Sequence, residues 1–142
     1  HQTAVRIQAA ATKPEQDPIL NELAALGYAS DSVWDLVNTK ETYAAAIPIL
    51  VKFLPLVSHP VLREGLARAL TVPEARGLAG KVLMFELRKE SDPELRWALA
   101  NALTVVTERK DAEAIQALLD DPAYQDVSER LEKALKNLQS PH

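Results

Sequence analysis

The chain has 142 residues, which is the length of one domain and enough to bury a hydrophobic core without covalent cross-links. It contains no cysteine, so disulfides, iron–sulfur clusters and a thiol nucleophile are excluded. The net charge of −4 divides into −3 over residues 1–41, +3 over residues 42–90 and −4 over residues 91–142, and a weakly basic middle between acidic flanks is a poor footprint for nucleic acid.

Composition favours helices in a protein that does not enter membranes. Alanine and leucine dominate while aromatic residues make up only 5% of the chain, which favours helices over strands. No apolar run approaches the ~20 residues of a membrane span. The first residues lack the charged start, apolar core and cleavage site of a secretion signal, so we expect a cytoplasmic protein.

The first third of the chain predicts an arm and two helices. Residues 1–14 show no sustained period and are expected to form an N-terminal arm. Apolar residues then recur with helical spacing over residues 15–25, and Gly27 suits the end of that helix. Asp31 or Ser32 can cap a short second helix.

Prolines divide the middle of the chain. A strongly apolar helix is expected to open at Thr42, and it should kink or start afresh at Pro48, because proline lacks a donor and clashes one turn back. Its partner helix begins at Pro60, since proline at the first helical position loses no hydrogen bond. Pro73 is expected to start a long third helix, whose partner begins at Pro93.

Two further features complete the pattern. Gly77 and Gly80 lie within the helix predicted from Pro73, and close helix packing explains them better than a phosphate loop, because no strand precedes them. Residues 111–138 predict a fourth, more polar pair of helices. A polar outer face on the last repeat is typical of the cap of a solenoid.

An internal repeat organises these helices. Residues 60–72 and 93–105 are identical at nine positions when they are offset by 33 residues. A period of roughly 20–50 residues is typical of stacked supersecondary units. We therefore predict an all-α chain with about eight helices in a single domain over residues 15–142. The predicted antiparallel pairs cover about residues 15–38, 42–71, 73–106 and 111–138.

The sequence AIPILVKFL at residues 46–54, followed by helices of the pattern D-P-x-L-R-x-x-L-A-x-A-L, resembles the HEAT repeat. The residues that carry this repeat motif are Pro60, Arg63, Asp92, Pro93 and Arg96, and His59 stands where the motif has Asp. The resemblance implies a short right-handed α-solenoid whose second helices line a concave side that binds partners. It implies no catalytic residue, because the motif identifies a scaffold and not a chemistry.

The polar side of the second helices is the candidate binding surface. At 100° per residue, Glu64 and Arg68 lie opposite the apolar stripe of the helix that starts at Pro60. Together with their equivalents in the later repeats, they form a predicted partner-binding band of Glu64, Arg68, Thr71, Trp97, Asn101, Thr104, Glu129, Lys133 and Lys136. Trp97 leaves two interpretations open: a binding hot spot, or an aromatic residue packed on a neighbouring helix.

Arg63 and Arg96 lie at the edge of the apolar stripe. We expect them to bridge to Asp92 or to neighbouring repeats, rather than to contact a ligand. Such bridges would hold the stack together.

The function predicted from these residues is a non-catalytic scaffold for a protein or peptide, with no cofactor and no metal. The sequence leaves the oligomeric state open and slightly favours a monomer. The only internal histidine, His59, stands at a helix start, so capping is expected of it, and no catalytic triad or metal spacing can be assembled. The alternative is a nucleic-acid or anionic-ligand binder using the basic residues Arg63, Arg68, Arg76, Lys81 and Arg96. A third possibility is a HEAT-like lyase or glycosylase with Glu64 or Glu129 as its acid or base.

Overall fold

Helices account for most of the described chain. The computed structural model describes residues 12–139, in which there are eight α-helices, four 3₁₀ turns and no strand. The prediction of an all-α chain with about eight helices is confirmed for this part. In chain order the helices are α1 (Lys13–Ala25), α2 (Trp34–Asn38), α3 (Ile47–Phe53), α4 (Pro60–Ala69), α5 (Gly80–Lys89), α6 (Pro93–Val106), α7 (Ala112–Asp120) and α8 (Ser128–Gln139).

The first helix begins earlier than predicted. It starts at Lys13 instead of Glu15, because Pro14 is tolerated in the first turn of a helix. The end of the predicted arm is therefore helical, and residues 1–11 lie outside the described part of the chain. The helix closes as expected: Gly27 has a φ of +96°, and the Tyr28 N–H donates to the carbonyl of Leu23 at 2.9 Å.

Polar side chains join α1 to α2 and to the start of α4. The buried Gln16 side chain accepts the Val33 N–H at 2.8 Å, and Ser32 Oγ accepts the Trp34 N–H at 3.1 Å, so Ser32 caps α2. The Glu15 carboxylate accepts the N–H groups of Ser58 and His59 at 2.8 and 3.0 Å. This carboxylate fastens the turn before α4 to the first helix.

Of the two outcomes expected at Pro48, a kink or a new helix start, the structure shows a new helix start. A 3₁₀ turn at Ala44–Ala46 precedes α3, and Pro48 occupies one of the first two positions of α3. The helix predicted from Thr42 is therefore shorter than expected, because the proline fits only where no backbone donor is needed.

The prediction of one long helix starting at Pro73 is wrong. A 3₁₀ turn at Pro73–Ala75 is followed by Gly77 with a φ of +82°, and α5 begins only at Gly80. The Gly77 N–H donates to the carbonyl of Val106 at 3.2 Å, so it is bound to the end of α6 and not to its own turn. Close packing does apply to Gly80, since a Cβ there would lie 3.2 Å from Asp111 Oδ2.

The second helices of the four predicted pairs contact one another in chain order. Helix α2 contacts α4, α4 contacts α6, and α6 contacts α8; we call these four helices the second-helix row. On the other side α1 contacts α3, while α5 and α7 pack on their own partners α6 and α8. The leucines that recur in the repeat supply the core of the row, namely the buried Leu62, Leu66, Leu70, Leu95, Leu99, Leu103 and Leu131.

Candidate functional site

Trp97 lies at the centre of the candidate site. It belongs to α6, which packs between α4 and α8, and 40% of its surface is exposed. The guanidinium carbon of Arg68, from α4, lies 5.9 Å from a ring centroid of Trp97, and that of Arg130, from α8, lies 5.8 Å away. Two cations from the helices on either side therefore lie near the same indole. The negative electrostatic potential of the ring face attracts each guanidinium group.

Acidic and amide side chains hold both arginines in place. Arg68 Nε donates to Glu64 Oε2 at 2.7 Å, one turn away on α4. Arg130 is paired with Glu129 and donates to Asn101 Oδ1 at 3.0 Å. We call these six residues the Trp97 cluster: Glu64, Arg68, Trp97, Asn101, Glu129 and Arg130.

The pKa directions agree with this pairing. The hydrogen bond from Arg130 lowers the pKa of Glu129, with the charges of Arg130 and Lys133 acting in the same direction. The hydrogen bond to Glu129 correspondingly raises the pKa of Arg130. Glu129 therefore stays ionised to lower pH than an ordinary glutamate, whereas a general acid needs a raised pKa.

The structure brings together only part of the predicted band. Thr71 Oγ1 donates to the Ala67 carbonyl at 2.8 Å and Thr104 Oγ1 to the Asn101 carbonyl at 2.6 Å, so both hydroxyls bond within their own helices. Lys133 is exposed and acts on Glu129 through its charge. Five residues of the predicted band therefore belong to the Trp97 cluster: Glu64, Arg68, Trp97, Asn101 and Glu129.

Sequence reasoning missed Arg130. The alignment of the last repeat placed Glu129 on the polar face and left its neighbour out. Arg130 lies closer to the core, but its side chain is long enough to reach Asn101 and Trp97 on α6. A long cationic side chain next to the predicted partner-binding band is the signal that could have identified Arg130.

Arg63 occupies a structural position at the junction of two repeats. Its Nη1 donates to the carbonyls of Leu54 and Val57, which follow the end of α3 in the chain, at 3.3 and 3.2 Å. Its Nη2 donates to Glu86 and Glu90, of the next pair, at 2.8 and 3.1 Å. One guanidinium thus joins the second and third helix pairs.

Arg96 repeats this geometry one unit later. It donates to the carbonyls of Glu90 and Ala123, both at 2.8 Å, and to both oxygens of Asp126 at 2.9 Å. The hydrogen bond from Arg96 lowers the pKa of Asp126. Asp92 is not its partner, because that carboxylate caps α6 by accepting the Leu95 N–H at 3.2 Å. Of the two bridges expected for these arginines, the structure shows the one to neighbouring repeats.

The remaining motif residues lie at helix starts. Pro60 and Pro93 are the first residues of α4 and α6. His59 Nδ1 accepts the Val61 N–H at 3.3 Å, which makes it the cap of α4. Among residues 12–139, no group of three His, Cys, Asp or Glu side chains could hold a metal ion.

The five basic residues of the alternative prediction are dispersed. Arg63 and Arg96 are used between repeats, and Arg68 is paired with Glu64. Arg76 follows the turn Pro73–Ala75 and donates to the carbonyl of Val105 at 3.3 Å, and Lys81 lies on α5, outside the second-helix row. A concentrated basic face, which nucleic-acid binding needs, is not formed by these residues.

Comparisons add no relative to this picture: no protein family, no curated protein and no solved structure matches the chain. Over residues 12–139, no helix has both the length and the apolar character that crossing a bilayer requires.

Proposed function

We propose that this chain is a non-catalytic protein-binding scaffold, a short right-handed HEAT-like α-solenoid whose second-helix row presents the Trp97 cluster to a protein or peptide. The second helices contact one another in chain order, and Arg63 and Arg96 make equivalent bridges to the next unit. Both observations support the stacking of equivalent units. Repeat proteins built in this way offer an extended surface along the stack.

The single observation that carries the proposal is the partly exposed Trp97 held between two paired arginines. Tryptophan and arginine are the residue types most enriched at the energetic centre of protein interfaces. Because Glu64 and Glu129 already order the two arginines, less side-chain entropy is lost when a partner covers them. A ligand that stacks on the indole can also accept hydrogen bonds from guanidinium N–H groups at its rim.

The experiment is capture of proteins from a lysate of the source cells on the immobilised chain, with and without nuclease. Three forms are compared: wild type, Trp97→Glu, and Leu56→Glu as a matched control. Leu56 is exposed to 68% and lies outside the cluster, so its substitution introduces the same charge at a remote site. All three must melt at the same temperature.

The proposal expects a protein that wild type and Leu56→Glu retain equally, that Trp97→Glu loses and that nuclease does not release. Equal retention by all three forms contradicts the choice of the Trp97 cluster. Release by nuclease, or binding that falls steeply between 50 and 200 mM salt, would support the nucleic-acid alternative, because binding to phosphates releases counterions.

A further inference from the structure

A second surface lies on the side of the chain away from the second-helix row. An open groove of about 630 Å³ runs between α5 and α7, the first helices of the third and fourth pairs. Its apolar lining comes from Val82, Met84, Phe85 and Ala114. Phe85 is the conspicuous member: 53% of its surface is exposed, although phenylalanine is usually buried.

Cations surround this apolar lining. Lys81 and Arg88 lie four residues before and three after Phe85, which places all three on one stripe of α5. Neither cation has an ion-pair or hydrogen-bond partner within residues 12–139. Lys89 Nζ lies 4.7 Å from the ring centroid of Phe85, but its charge is paired with the carboxylate of Glu86, with Nζ 3.2 Å from Oε2.

Three acidic groups near the groove are engaged, and the exposed Glu113 of α7, next to the lining residue Ala114, is a further acid outside the lining. Asp111 Oδ2 accepts the Glu108 N–H at 2.8 Å, and the Glu108 carboxylate faces Lys110 at 3.4 Å. Glu86 is fully buried and pairs with Arg63. The charged residues that line the groove are the three cations Lys81, Arg88 and Lys110 and the one acid Asp111. The lining is therefore positive in a chain whose net charge is −4.

We propose that this groove binds an acidic segment of a partner protein, with a large apolar side chain of that segment seated against Phe85. The unpaired Lys81 and Arg88 supply complementary charge, and the apolar lining supplies the burial that fixes the segment's position. A protein segment fits better than a membrane, because α5 has ten residues and exposes one large apolar side chain, whereas a membrane-surface helix needs a continuous apolar face. The groove shares no residue with the Trp97 cluster, so the two proposals stand or fall separately.

The test uses fluorescence anisotropy with a fluorescein-labelled synthetic peptide in which a Leu-Phe pair is flanked by runs of Asp and Glu. Two peptides serve as controls: one with Lys in place of every acid, and one with Ser in place of Leu and Phe. Binding is measured for the full chain and for Phe85→Glu, Lys81→Glu, Trp97→Glu and Leu56→Glu, each shown to melt like wild type.

The groove predicts that the acidic Leu-Phe peptide binds and that both control peptides bind at least about ten-fold more weakly, since each loses charge attraction or apolar burial. Phe85→Glu and Lys81→Glu should weaken binding by about ten-fold or more, while Leu56→Glu and Trp97→Glu should leave it unchanged.

The proposal is overturned if the acidic peptide does not bind, if either control peptide binds equally well, or if Phe85→Glu or Lys81→Glu leaves binding unweakened. Phe85-dependent binding to phosphatidylserine vesicles in place of the peptide, measured by co-sedimentation with the same variants, also overturns it. Loss of the peptide in Trp97→Glu and not in Phe85→Glu would move the site to the second-helix row, overturning the groove and leaving the proposed function intact.

Discussion

Replacing Arg63 by Met should destabilise the chain more than any surface change on α4. The Arg63 side chain is 12% exposed and the side chain of its partner Glu86 is fully buried. The substitution therefore leaves a buried carboxylate with one cation fewer beside it. The carbonyls of Leu54 and Val57 lose their donor at the same time. Lys89 remains 3.2 Å from Glu86 Oε2, in an ion pair without hydrogen-bond geometry.

The expected cost follows from this burial. Breaking a buried ion pair by removing one partner costs about 3–5 kcal/mol, and the surviving contact with Lys89 places Arg63→Met near the lower end. A loss of ~3 kcal/mol lowers the melting temperature of a domain of this size by about 10 °C. Arg68→Met is the matched control, because the half-buried ion pair of Arg68 and Glu64 within one helix is worth only ~0.3–0.5 kcal/mol.

Urea denaturation of wild type, both single variants and the double variant Arg63→Met with Glu86→Met measures these differences. Because the double variant removes both charges and keeps apolar volume, it should recover at least about 1 kcal/mol relative to Arg63→Met alone. If Arg63→Met unfolds within about 0.5 kcal/mol of wild type, as an ordinary surface substitution does, the junction between repeats does not depend on this guanidinium.

Three other substitutions or titrations give separate tests. Gly77→Ala should cost about 1–2 kcal/mol of unfolding free energy, since φ is +82° and the new Cβ would lie 2.9 Å from a carboxylate oxygen, while Gly27→Ala, with φ +96° and open space, should cost less. Burial and the nearby Glu74 raise the pKa of Tyr43 to about 12. The Tyr43 hydroxyl should therefore contribute fully to the free energy of unfolding below pH 10, and this contribution should be lost as the pH rises to 12. A phenol titration near pH 12, absent from Tyr43→Phe, should accompany the loss. Partial burial tends to raise the pKa of Glu15, but the hydrogen bonds from two backbone N–H groups outweigh this effect, and the pKa is lowered. In acid denaturation, wild type should therefore lose stability faster than Glu15→Gln as the pH falls below 4.5.

The sequence repeat made the starts of two helices predictable. The identity between residues 60–72 and 93–105 predicted two second helices starting at Pro60 and Pro93, and both begin there. Helical periodicity also identified the fourth pair, whose first helix spans Ala112–Asp120 as the pattern indicated. Local rules suffice in these cases, because the residues that start a helix act within one turn.

Long-range contacts determine the features that local patterns left open. The break at Gly77 depends on a hydrogen bond to the carbonyl of Val106, 29 residues later, which no local pattern records. Arg130 joins the candidate site because α8 packs on α6 and brings it to Trp97. Periodicity assigns a residue to a face of its own helix, but it does not show which side chains a neighbouring helix supplies.

Exposure of Trp97 in the complex tests the central claim most directly. The chain has two tryptophans, so Trp34→Phe leaves Trp97 as the single reporter, provided that this variant still retains the partner isolated by capture. Acrylamide quenching of the Trp97 fluorescence is measured with and without that partner. The double variant Trp34→Phe, Leu56→Glu serves as the control. A scaffold that binds through the Trp97 cluster predicts a blue-shifted emission and strong protection from quenching in the complex. Saturated binding with unchanged emission and quenching would contradict it.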